Sequence, residues 1–137
     1  MASMPLTVNR ATWKREQEFV ATSTDGHQVT MDGHKTAGAS PMEFVLMGLC
    51  GCTGVDVVSI LTKKREPFTS LEVRAEAERA EESPKVYTKI RLIYRVGGKV
   101  AKKAMEDAVR LSEEKYCSVS AMLQKTAKIT TEIEYSS

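Results

Sequence analysis

The chain is short of almost everything that marks a specialised protein. Its 137 residues include three cysteines, four prolines and 6% aromatic residues. Three thiols, an odd number, cannot build the disulfide lattice of a small secreted domain, so a disulfide here would be working chemistry rather than scaffolding. Neither sign of charge dominates: twenty Lys plus Arg against eighteen Asp plus Glu leave +2, and the two signs are interspersed. With no basic arm and no acidic tail, nucleic acid is not an expected partner. Met1 to Pro5 lacks the charged start and apolar run of a secretory signal, and a cytoplasmic location is expected. The longest apolar stretch, Phe44 to Leu61, is broken by Gly48, Gly51, Gly54 and Asp56, which suits a buried helix better than a membrane span.

What is present is the composition of one ordinary globular domain over residues 1–137, 42% hydrophobic and 28% charged. Leu6 to Trp13, Glu18 to Ser23 and Gln28 to Met31 read as short strands, with turns at Asp25-Gly26 and Asp32-Gly33. His27 and His34 each follow one of those turns. No third ligand stands at metal spacing, and two histidines at strand edges explain the repeat more simply than a metal site. Ser40-Pro41-Met42-Glu43 combines a cap, a proline at the first helical position and a glutamate three residues after the cap, which starts a helix. That helix is apolar on nearly every face through Leu61 and must be buried on all sides. A chain this small can cover about two faces of one helix, so a second copy of the chain is expected to supply the rest.

Leu71 to Glu78 and Val86 to Val96 alternate as two half-exposed strands joined through Glu82-Ser83-Pro84-Lys85. Val100, Ala101, Ala104, Met105, Ala108 and Leu111 make the apolar stripe of a surface helix. A short helix capped by Ser118 follows, and Ile129 to Tyr135 forms a last strand. This order predicts an α+β fold with mainly antiparallel sheet.

Several chemistries lack their motifs. No Gly-x-Ser-x-Gly elbow is present for Ser/His/Asp hydrolysis, and the glycines at 48, 51 and 54 lie within a helix pattern rather than in a phosphate-binding loop. They read as a small-residue stripe that lets another backbone approach. No cofactor and no metal is called for. The thiols remain. Cys50 and Cys52, two apart, face about 200° away from each other on a helix, so they cannot pair there, and Cys50 reads as a small core residue. Cys117 lies just ahead of the expected Ser118 cap, where backbone N–H groups and the helix dipole favour a thiolate.

Two stretches carry a resemblance. Ser40-Pro41-Met42-Glu43-Phe44-Val45-Leu46-Met47-Gly48-Leu49-Cys50-Gly51-Cys52-Thr53 resembles the helix of the OsmC/Ohr family, the osmotically induced and organic hydroperoxide resistance proteins. Cys117-Ser118-Val119-Ser120 resembles its second landmark, and Gly51 to Val58 with Glu114 to Ser118 is most similar to the less characterised YhfA-like group. The resemblance implies mainly antiparallel sheets wrapped around a long central helix in an intertwined homodimer. It also implies thiol-dependent reduction of organic hydroperoxides, with Cys52 as the peroxidatic and Cys117 as the resolving cysteine and a dithiol as reductant. Better-known branches carry a glutamate directly after the proline, where this chain has Met42; Glu43 stands one residue along. The family pairs that glutamate with an N-terminal arginine, for which Arg15 or Arg10 stands in the corresponding region. Two other readings fit the same residues: a non-catalytic small-ligand or partner-binding protein, and a thiol redox sensor.

Overall fold

The computed structural model describes residues 5–136; Met1 to Met4, part of the stretch read above for a secretory signal, lie outside the described residues. It resolves into two compact units, Met1–Val45 and Leu46–Ser137.

The first unit is an antiparallel meander of β1 (Arg10–Arg15), β2 (Glu18–Thr22) and β3 (Gln28–Asp32). β1 begins at Arg10 rather than at Leu6 because the Val8 backbone is already bonded to a side chain. Its N–H donates to Thr24 Oγ1 at 2.8 Å, and that hydroxyl donates back to the Val8 carbonyl at 3.1 Å. The loop after β3 is organised by the buried Asp32 carboxylate, which accepts from the N–H groups of His34 at 2.8 Å and Ala37 at 3.0 Å. Those backbone donors hold its pKa below the ordinary carboxylate value. The capping box forms as the sequence predicts: Ser40 Oγ donates to Glu43 Oε1 at 3.0 Å and accepts the Glu43 N–H at 3.4 Å, starting α1 (Pro41–Lys63).

The second unit has a sheet of β4 (Phe68–Arg79), β5 (Tyr87–Gly98) and β6 (Lys128–Ser136), with β5 in the centre. β4 and β5 are antiparallel, whereas β5 and β6 run parallel. A parallel neighbour needs a crossover. Here it holds α2 (Lys102–Leu111), a π-helical turn (Ser112–Tyr116) and α3 (Ser118–Leu123). β5 keeps the expected half-exposed alternation, with Lys89, Arg91 and Arg95 exposed, except at Ile93, which is buried on the charged face in register with Arg74 and Glu132; on the other face Ile90, Leu92, Tyr94 and Val96 are buried. They form the core with Leu49, Val57 and Leu61 of α1 and Met105, Ala108 and Val109 of α2. Gly98, at φ +99°, ends β5 where a Cβ would come within 2.5 Å of the Pro67 carbonyl.

The chain itself covers α1 along one stripe, Leu49, Thr53, Val57 and Leu61. By length and composition α1 could also cross a membrane, and only 22% of its apolar window is buried. Val55 is 70% exposed, and Met47 and Val58 are open as well. Among the described residues nothing lies within 4 Å of a Cβ built on Gly48 or Gly51, and one on Gly54 meets Val73 Cγ2 at 3.6 Å, so no described backbone of the same chain uses the small-residue stripe.

Candidate functional site: two thiols and a hydroxyl chain

The helical turn angle separates Cys50 from Cys52 as expected. Cys50 points to the β4 side, near the Ala75 backbone, and partial burial pushes its thiol pKa up. It lines an open apolar groove of about 790 Å³ with Gly51, Gly54, Val55, Val58 and Val73. Cys52, half-buried, faces the other way and neighbours Cys117.

Cys117 is itself the cap of α3, a role the sequence assigns to Ser118: its Sγ accepts the Ser120 N–H at 3.3 Å. A thiol can replace the usual hydroxyl because it sits at the same place relative to the free N–H groups of the first turn. The expected ease of ionisation is reversed. Burial pushes the Cys117 thiol up to about 12, against the Ser120 N–H, and the neighbouring Cys52 and Glu113 push it further in the same direction. Cys117 therefore keeps its proton beside Cys52.

Next to the thiols lies a polar cluster that pattern reading missed. Thr53 Oγ1 is 2.7 Å from Tyr94 Oη and 2.7 Å from Ser112 Oγ; all three residues are buried. Ser112 Oγ donates to Asp56 Oδ2 at 2.9 Å, and Tyr94 Oη donates to Glu113 Oε2 at 3.3 Å. The other Glu113 oxygen accepts from Ser120 Oγ at 2.9 Å, and Ser120 Oγ accepts from Gln124 Nε2 at 3.0 Å. Burial raises the Tyr94 phenol far above its ordinary value, so it keeps its proton. The π turn makes this cluster possible: it turns Ser112 inward while Ser112 O accepts the Cys117 N–H at 2.8 Å. A sequence signal existed. Thr53 and Asp56 are polar intrusions three residues apart, hence on one face, in a run from Phe44 to Leu61 whose one other polar residue is Ser59.

Glu43 and Arg15 belong to the first unit. Glu43 Oε1 is engaged by Ser40 and by Lys35 Nζ at 3.4 Å, contacts that lower its pKa, with the Ser40 hydroxyl the larger cause. Arg15 Nη1 pairs with Glu18 Oε1 at 2.7 Å. Arg10 opens β1 as an exposed residue. Among the described residues no group of three or more His, Cys, Asp and Glu is placed to hold a metal.

Comparison with known proteins is consistent throughout. The family model for OsmC-like protein matches residues 32–132. Protein YhfA of Escherichia coli strain K12 is 46% identical over 127 residues, covering 91% of this chain and 95% of that protein. The crystal structure of a hypothetical protein from Aquifex aeolicus VF5 superposes with a TM-score of 0.85 at 35% identity, over 98% of this chain and all of that one. The organic hydroperoxide resistance protein OhrB of Bacillus subtilis shares the fold, with a TM-score of 0.67 at 14% identity over 96% of this chain and 100% of its own.

Proposed function

The chain belongs to the OsmC-like family, and on that footing we propose that it is a cytoplasmic, homodimeric thiol peroxidase that reduces organic hydroperoxides. The observation that carries this reading is the contact of the Cys117 thiol with Cys52, two residues that nothing in local sequence brings together. The Cys52 thiolate attacks the O–O bond; an alkoxide leaves and is protonated to the alcohol, and Cys52 becomes a sulfenic acid. The Cys117 sulfur then displaces the hydroxyl oxygen as water, forming the Cys52–Cys117 disulfide. A dithiol reductant reopens it by exchange.

By resemblance, Glu43 and Arg15 order the attacking thiolate. In this chain they hold Ser40 with Lys35 and Glu18 respectively, so that role requires an exchange of partners. The homodimer rests on α1: its open face, with Val55, Val58 and the groove above Cys50, is the apolar surface a second copy would cover.

Turnover of cumene hydroperoxide with a dithiol tests the assignment. Cys52→Ala is expected to fall to background, Cys117→Ser to make one turnover and then accumulate sulfenic and sulfinic acid at Cys52, and Cys50→Ala to keep turning over. Equal loss in Cys50→Ala and Cys52→Ala, both folded, would sink it. The groove beside Cys50 favours the small-ligand reading instead if both variants bind an apolar ligand alike and the wild type consumes no hydroperoxide.

A further inference from the structure

Thr53, Tyr94 and Ser112 form a chain of buried hydroxyls with a carboxyl at each end, Asp56 on α1 and Glu113 in the π turn. Four contacts join these five groups, but the three hydroxyls bring only three protons. With both carboxyls ionised, one contact has no proton to share. A single further proton at either end completes the chain, with all four bonds pointing the same way. Placed on Glu113, it makes every bond run towards Asp56; placed on Asp56, it reverses them. The two arrangements interconvert when the carboxyl proton and the three hydroxyl protons each move along their own bond, without displacement of any heavy atom. The contacts of 2.7, 2.7 and 2.9 Å are short enough for such transfer, and the link to Glu113, at 3.3 Å, is the loosest.

The Glu113 end of this chain is coupled to the second thiol. A negative Glu113 disfavours charge on Cys117, while Glu113 Oε1 holds Ser120, whose backbone N–H is the donor on Cys117 Sγ. A neutral Glu113 removes the repulsion and can still accept from the Ser120 hydroxyl. The ionisable groups facing Cys117 are Cys52 from α1, Tyr94 from β5 and Glu113 from the π turn. On its outer side Glu113 shares an open groove with Glu106, Arg110 and Glu114, and Arg110 leans towards Glu114 at 3.5 Å.

We propose that the Tyr94–Thr53–Ser112 chain is a proton relay through which Asp56 and Glu113 share one proton, and that its arrival at Glu113 frees Cys117 to give up its thiol proton and close on Cys52. The inference rests on the Cys52–Cys117 pairing proposed above. In the closing step the Cys117 S–H bond breaks and the S–S bond forms. The Cys52 S–O bond breaks towards oxygen, and the departing hydroxide takes up the thiol proton as water. Glu113 is a positioning residue, acting on Cys117 through charge and through Ser120.

The test is the pH profile of disulfide closure in the full chain, driven by the azo oxidant diamide. Diamide takes up two electrons and two protons as the dithiol becomes the disulfide, so no hydroperoxide is needed. Glu113→Gln, which keeps the acceptor for Ser120 and removes the charge, is expected to move the profile down by about one pH unit, giving closure about tenfold faster at pH 7. Thr53→Val cuts the chain and leaves the Tyr94 proton on a charged Glu113; its profile is expected to move up and closure at pH 7 to slow several-fold. Thr53→Ser restores the hydroxyl and should restore the wild-type profile. A merely structural role would make Glu113→Gln and Thr53→Val slow closure alike, in step with a lower Tm, and that result overturns the relay. So does an unshifted profile in Glu113→Gln, or a wild type in which diamide forms no Cys52–Cys117 bond. Normal diamide profiles in a protein inert to hydroperoxides would support the relay and defeat the peroxidase reading alone.

Discussion

The two sides of α1 differ in kind although the helix is apolar almost all round. One side is finished within the chain: Leu49, Val57 and Leu61 are fully buried, Thr53 is locked between Tyr94 and Ser112, and Cys52 meets Cys117. The other carries Cys50, Gly51, Val55 and Val58 beside an open groove. Apolar composition therefore does not tell what covers a helix face. What separates the faces is how their polar residues are met: Thr53 and Asp56 bond to partners the chain supplies, whereas on the open side Ser59, Thr62 and Lys63 stand among the glycines and valines that line the groove. A side that needs hydrogen bonds must be completed by specific neighbours, whereas an apolar side can be completed by any surface of matching shape.

The largest expected effect breaks the open side. Val55→Asp places a charge at its most exposed apolar position, and in sedimentation velocity a homodimer should become a monomer at micromolar concentration. Gly51→Leu should act in the same direction. A wild type already monomeric there would mean the two faces differ in nothing but solvent exposure. Next, Leu49→Ala on the finished side should lower unfolding free energy by about 2–5 kcal/mol through lost burial and a cavity. In chemical denaturation that loss should not depend on protein concentration. Val58→Ala should act through dimerisation, so its cost should vary with concentration.

The smallest effect is on pH dependence. The folded state keeps Cys117 protonated to about 12, whereas an unfolded thiol ionises near about 8.5. Its contribution to stability is therefore whole below about pH 8.5 and fades as pH rises towards about 12. Denaturation midpoints between pH 7 and 10 should fall, and Cys117→Ala should flatten that fall more than Cys50→Ala does.

Local chemistry was legible wherever one short segment decides the outcome. The Ser40–Glu43 box, the alternation in β4 and the opposed directions of Cys50 and Cys52 all follow from spacing over a few residues. The burial of Ile93 was not, because alternation places it on the charged face of β5, where it stands between Arg74 and Glu132, neighbours that only the register of β4 and β6 supplies. The π turn escaped for a related reason: Ser112 to Tyr116 continues a helical pattern, and only the side chains it meets show that the pitch changes. The hydroxyl chain joins residues from α1, β5 and the π turn whose separations carry no period. The cap passed from Ser118 to Cys117 because the residue types that usually cap do not include a buried thiol.

The parallel pairing of β5 with β6 also orders events in time. During synthesis β4 and β5 can close as an antiparallel hairpin as soon as both have emerged, since their contacts are near in sequence. The crossover that carries Cys117 is pinned at its far end only when Lys128–Ser136 docks beside β5, after every other element of the unit has been made. Until then α1 holds Cys50 and Cys52 without the second thiol in place. The sulfur pair is thus completed last, in molecules whose sheet is already whole, and under the peroxidase reading proposed above a nascent chain would hold Cys52 before Cys117 is in place to close on it.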